Sequence, residues 1–163
     1  MAQSEPVDYI ERTREQYAGL GFPPYQWVHS DTPPAFKALS KPLNESKIAL
    51  IASGGIYSKG QIAFHFKDDL SYREIATDTA VEDLRATHFA YNLTDARQDP
   101  NVVFPLETLR RCVTEGLIGE LSPRAYTFMG GIYSSRKVEE TLAPALAQRL
   151  QDDEVDLALL VPV

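Results

Sequence analysis

Apolar positions along this chain fall into short runs divided by polar, proline-rich or glycine-rich stretches, with two recurring spacings. KIALIAS (47–53) is a continuous apolar run of strand length, as expected for a strand covered on both faces. RAYTFM (124–129) predicts a second strand, and VDLALLV (155–161) predicts a third, also buried. Helical spacing appears in three places. PVDYIERTREQYA (6–18) is closed by GLGFPP, glycine followed by prolines. FPLETLRRCVTEG places Pro105 at a helix start and Gly116 at its end, with Leu106, Leu109 and Val113 on one face and Cys112 beside them. SSRKVEETLAPALAQRLQDD aligns Val138, Leu142, Leu146 and Leu150 on one stripe. Pro144 lies inside that stretch and predicts a bend or the separation of its first turns.

The middle of the chain carries weaker signals. Residues 59–78 are polar and irregular. TAVE, from Thr79 to Glu82, fits a capping box and predicts a short helix. THFAYN (87–92) reads as a further short strand. Strands alternating with helices specify βαβ units, so the expected fold is α/β: a mostly parallel sheet with helices on both faces, of the layered doubly wound type or an incomplete form of it. Residues 1–46 are expected to form an N-terminal helix and a proline-rich arm, extended over the surface and anchored by Trp27 and Phe36. Residues 47–163 are expected to form the α/β domain.

Composition narrows the function classes. The chain has 163 residues, which suits one domain with a sizeable core. Its net charge is −7 without basic clusters, which argues against a general nucleic-acid binder. No apolar stretch approaches the roughly 18–20 residues that span a bilayer. The N-terminus is too charged for a secretory signal, so a cytoplasmic location is expected. A single cysteine, Cys112, excludes an internal disulfide or a multi-thiolate metal site and reads as an inert core thiol. His29, His65 and His88 have no metal-ligand spacing.

The candidate chemistry lies in a repeat. GGIYS occurs at 54–58 and again at 130–134, each copy directly behind a predicted strand. In an open parallel sheet, ligands bind beyond the carboxyl ends of the strands, where both turns must sit. Glycine allows close backbone approach, and free N–H groups there can hold an anion. The expected pocket is lined by Gly54, Gly55, Tyr57, Gly130, Gly131 and Tyr133, with His88 pointing in from another strand end. A plainer reading stands beside it: double glycine also lets a chain leave a strand tightly, and the histidine and tyrosines also serve as structural residues. Neither copy fits a phosphate loop or GxGxxG. A loop after VDLALLVPV would emerge at the same edge, and the chain ends there, as though interrupted inside a strand.

PPYQWVHSDTPPAFKALSKPL (23–43), SYREIATDT (71–79), NVVFPLETLRRCVTEGLIGELSPRAYTFMGGI (101–132) and VDLALLVPV (155–163) resemble, in order, the selenoprotein B family of glycine/betaine/sarcosine/D-proline reductases, its D-proline-reductase-like members above all. The resemblance implies that the last strand leads into a redox motif of selenocysteine or cysteine, followed by a further cysteine. The catalytic residue is therefore expected just after Val163, and Cys112 does not match its position. A selenol is largely ionised at neutral pH, whereas a thiol with pKa about 8.5 is not. The family's chemistry is reductive cleavage of a C–N bond in an amino acid or N-methylated amino acid. The expected partners are other subunits of a reductase complex, one carrying a pyruvoyl group, and a thioredoxin-like dithiol donor. Two alternatives stay open. One is a non-catalytic module binding a small anion or nucleotide; the other is a partner subunit whose apolar VPV end pairs edge-on with a neighbour, and such pairing makes a homodimer compatible with either function.

Overall fold

The computed structural model describes residues 8–163, so Pro6 and Val7 of the first predicted helix lie outside the described residues. The chain divides into two compact units, residues 1–36 and 37–163. In the first, α1 (Tyr9–Gly19) begins at Asp8, whose carboxylate accepts from the Glu11 N–H at 3.0 Å. Trp27 stacks edge-on with Tyr9 and Tyr25 and so anchors this unit internally. Phe36 is 93% exposed and, against expectation, is no anchor.

The second unit runs β1 (Lys47–Ala52), β2 (Ile56–Ser58), β3 (Tyr72–Ala76), β4 (Leu84–Ala86), α2 (Thr94–Gln98), α3 (Leu106–Thr114), β5 (Glu120–Leu121), β6 (Arg124–Phe128), the one-turn α4 (Ser135–Lys137), α5 (Ala143–Asp152) and β7 (Leu157–Val161). β1 is central and parallel to β7 along one edge, and to β5 and β6 along the other. β3 closes the far side antiparallel to β6. The sheet is thus mixed and mostly parallel, with α/β architecture as expected. β2 and β4 form a separate antiparallel hairpin.

Side-chain alternation on β1 divides the core. Ile48, Leu50 and Ala52 face Phe104, Leu106 and Leu109, while Ile51 faces Leu142 and Leu146. Each fully buried side chain of this size contributes roughly 1.5–3 kcal/mol. Pro144 has the foreseen effect. A wide π turn over residues 138–142 separates α4 from α5, and the proline sits in the first turn of α5, where no N–H is needed.

Four expectations are corrected. β7 is not buried: Leu159 is 38% and Leu160 66% exposed, because among the described residues the strand pairs only with β1 and nothing covers its outer edge. β3 arises in the stretch read as irregular, since Arg73 and Glu74 mask the pattern and only Ile75 is buried. Thr79 does not cap a helix. A 3-10 turn spans Val81–Asp83 without a side-chain cap, and Arg110 takes the Thr79 carbonyl instead. The strand expected at 87–92 lies earlier, at Leu84–Ala86, where it pairs with β2. Among the described residues no helix is long and apolar enough to cross a membrane.

Candidate functional site at the strand ends

The carboxyl ends of β1, β6 and β7 meet on one residue, Ser53. Its N–H donates to the Val161 carbonyl at 3.1 Å, and its carbonyl accepts from the Gly130 N–H at 2.9 Å. Its hydroxyl accepts from the Val163 N–H at 2.9 Å, which leaves the hydroxyl proton free to donate. Adjacent contacts tighten the junction. Gly55 N–H donates to the Phe128 carbonyl at 2.9 Å, and a β-carbon on Gly54 would lie 3.3 Å from Val163 Cγ2. Gly54, Gly130 and Val163 therefore share one rim of the sheet. Against it opens a largely apolar cavity of about 230 Å3, lined by Ile51, Ser53, Phe128, Leu160, Val161 and Pro162.

One glycine, Gly55, is required sterically, and a second, Gly131, packs against the tip of the half-exposed Phe89 ring. Gly55 has φ +67°, and a β-carbon there would lie 1.9 Å from the Thr87 carbonyl oxygen. A β-carbon on Gly131 would lie 2.1 Å from the Phe89 ring. Both close approaches press residues 87–89 onto the turns and carry His88 to the rim.

His88 is 9% exposed and lies beside the rings of Phe89 and Tyr91. Its Nδ1 accepts from the Ala90 N–H at 3.0 Å, which leaves the proton on Nε2. Nε2 is buried and has no acceptor in hydrogen-bond geometry among the described residues, although the Ser53 backbone is close enough to act on the ring. Burial pushes the His88 pKa down, against a weaker upward pull from the Ser53 backbone, so the ring is held neutral. Tyr91 donates to the Gly54 carbonyl at 2.8 Å, and burial raises its pKa, keeping that donor protonated. The site thus offers two uncharged donors: the Ser53 hydroxyl, which lines the apolar cavity, and His88 Nε2–H, which is buried nearby and does not line it. That combination suits an anion that arrives at the end of β7.

The structure brings together Gly54, Gly55, His88, Gly130 and Gly131 but neither tyrosine. Tyr57 continues into the hairpin opposite Arg85 and borders a different cleft. Tyr133 is 67% exposed, and its N–H donates to Asp68 Oδ1 at 2.8 Å. The first GGIYS opens a strand, whereas in the second Ser134 caps α4. Sequence reasoning missed Ser53, Phe89 and Tyr91. Ser53 offered a signal, being the hydroxyl that ends KIALIAS directly before the first double glycine. Cys112 packs beside the α3-face core, away from the strand ends, and among the described residues no group of three or more His, Cys, Asp or Glu could hold a metal.

Comparison with known proteins places these features in context. The family described as glycine/sarcosine/betaine reductase selenoprotein B matches residues 25–162. D-proline reductase subunit gamma of Acetoanaerobium sticklandii is 33% identical over 134 residues, covering 82% of this chain and 55% of that protein. Glycine reductase complex component B subunit gamma of Symbiobacterium thermophilum is 31% identical over 125 residues, 74% of this chain and 29% of that protein. The corresponding subunit of Carboxydothermus hydrogenoformans is 32% identical over 132 residues, 78% of this chain and 29% of that protein. The chain thus spans about half the length of the first relative and under a third of the other two. No solved structure gives a significant match.

Proposed function

Because the chain belongs to the glycine/sarcosine/betaine reductase selenoprotein B family, we propose that it builds the strand-end pocket of a selenol- or thiol-dependent reductase subunit. The reaction in this reading is reductive cleavage of a C–N bond in an amino acid or N-methylated amino acid of the glycine, sarcosine, betaine or proline class. Two electrons enter from a thioredoxin-like dithiol, which leaves as a disulfide, and the carbon and nitrogen released each take up a proton. The relatives named above are subunits, which supports other subunits of a reductase complex as partners. The pyruvoyl group of this chemistry is assigned to one of those partners, and no residue here is given a role toward it.

One observation carries the proposal: Ser53 joins the ends of three parallel strands, and its hydroxyl holds the Val163 N–H just beyond the end of β7. A selenocysteine or cysteine directly after Val163 would supply the electron-rich nucleophile. The chain's own residues fit such an anion. Ser53 fixes where the chain leaves β7 and has a hydroxyl proton available to donate there. His88 Nε2–H is a buried donor without a protein acceptor, and its low pKa keeps the ring from forming a competing charge. Ile51, Phe128 and Leu160 give the cavity beside Ser53 an apolar wall.

Turnover assays test the assignment. The 163-residue chain, given a dithiol donor and D-proline, glycine, sarcosine or betaine, is expected to show none. Turnover by this chain would refute the placement of the nucleophile. The alternative of a small-anion or nucleotide module is separated by calorimetry, in which tight nucleotide binding would favour it.

A further inference from the structure

The cleft that Tyr57 borders lies between the β2–β4 hairpin and α2 and encloses about 420 Å3. Arg85 and Arg97 both line it, with Thr87 between the hairpin and the strand-end site. Neither guanidinium has a carboxylate within ion-pair distance among the described residues. This is not for want of carboxylates, because acidic residues outnumber basic ones by 23 to 16. Arg124, Arg136 and Arg149 each hold one.

One of the two arginines is also held in place. Arg85 Nη1 donates to the carbonyls of Glu82 at 2.8 Å and Leu84 at 2.7 Å. Those bonds fix the plane of the guanidinium and leave its Nε–H and Nη2 edge for a ligand. Arg97 stands in the last turn of α2, and its side chain has no hydrogen-bond partner among the described residues. Two cations on one cleft, one already oriented, match a planar anion that accepts paired hydrogen bonds. Leu84, Ala86 and Ala96 form the buried floor of the cleft, and the size of the space suits a compact ligand body.

We propose that this cleft binds the carboxylate of a small amino-acid-like molecule, with Arg85 and Arg97 as its cationic clamp. The amino-acid part rests on the reductase reading and deepens it; the carboxylate part rests on the cleft alone. Thr87 lines the cleft, and the next residue is His88. A carboxylate held here is therefore one residue along the chain from the strand-end donors.

The test is binding, read residue by residue from amide resonances of the 163-residue chain. Proline and acetate are expected to shift Ala86 and Thr87 saturably, whereas prolinamide, which lacks the carboxylate, is not. Both arginines are exposed, so Arg85→Gln and Arg97→Gln are expected to stay folded, with unchanged far-ultraviolet circular dichroism. Each is expected to weaken proline binding about tenfold or more, the usual scale for a charged hydrogen bond. Arg97→Lys, which keeps charge but loses the fork, should fall between. Equal binding of prolinamide, shifts confined to residues 53–55 and 130–131, or full affinity in the folded glutamine variants would each overturn the assignment. Because only binding is measured, a chain that binds proline through these arginines but has no place in a reductase would leave this inference standing. In an active complex, an unchanged KM in both glutamine variants would remove this inference alone.

Discussion

The two ends of the parallel sheet bury polar side chains in opposite ways. Where β1 and β6 begin, the Asp153 carboxylate is 8% exposed and fully engaged. It accepts from Ser122 Oγ at 3.0 Å, from Tyr126 at 2.6 Å and from the Arg124 guanidinium. Arg124 reaches on to Glu74, which Arg149 also holds. Where the same strands end, His88 is buried to a similar degree, yet its one remaining donor has no acceptor in hydrogen-bond geometry among the described residues, only a weak pull from the Ser53 backbone. A buried polar group without a partner is destabilising, so folding stability explains the first arrangement and not the second. The Asp153 end maintains the fold, and the His88 end is where the proposed ligand site lies.

That contrast can be broken experimentally. The largest effect should come from Asp153→Ala, which strips Arg124 and Tyr126 of their shared acceptor. A loss of about 3 kcal/mol in denaturant unfolding is expected, and a loss below about 1 kcal/mol would mean that the network is dispensable. Acid should act next. Arg124 foremost, then Tyr126 and Ser122, hold the Asp153 pKa down to about 2 from its ordinary 3.8. A depressed carboxylate pKa stabilises the folded state above the unfolded value, and that stabilisation disappears as pH falls through the folded one. About 2 kcal/mol should therefore be lost between about pH 4 and pH 2. Asp153→Asn should abolish this dependence.

Smaller effects are expected at the other end. Ser53→Ala removes the acceptor of the Val163 N–H and should cost about 1 kcal/mol. Faster amide exchange at Val163 would report release of the end of β7. His88→Phe keeps the ring but deletes the unused donor, and its stability should stay within about 1 kcal/mol of the parent. A larger loss would make His88 a structural residue and erase the contrast.

Much of the architecture was legible because its signals are local. Pro105 and Gly116 bracket α3, Pro144 marks the break before α5, and KIALIAS is the central strand. Signals that depend on neighbours were not. A run such as VDLALLV looks the same at the centre of a sheet as at its edge, and β3 hides its single buried residue among Arg73 and Glu74. The site divides along the same line. The glycines were legible because their need is steric and encoded where they stand. The tyrosines were not, because identical pentapeptides enter a hairpin in one case and a helix cap in the other. Ser53 passed as the tail of an apolar run until three strand ends converged on it.

The thiol pKa of a cysteine added directly after Val163, in a Cys112→Ala background, tests the central claim most directly. Alkylation rates followed against pH should place it below the ordinary value of about 8.5 and should move it upward in His88→Phe. A thiol that titrates at or above about 8.5, and does so equally in both chains, would contradict a strand-end pocket built to receive an anion.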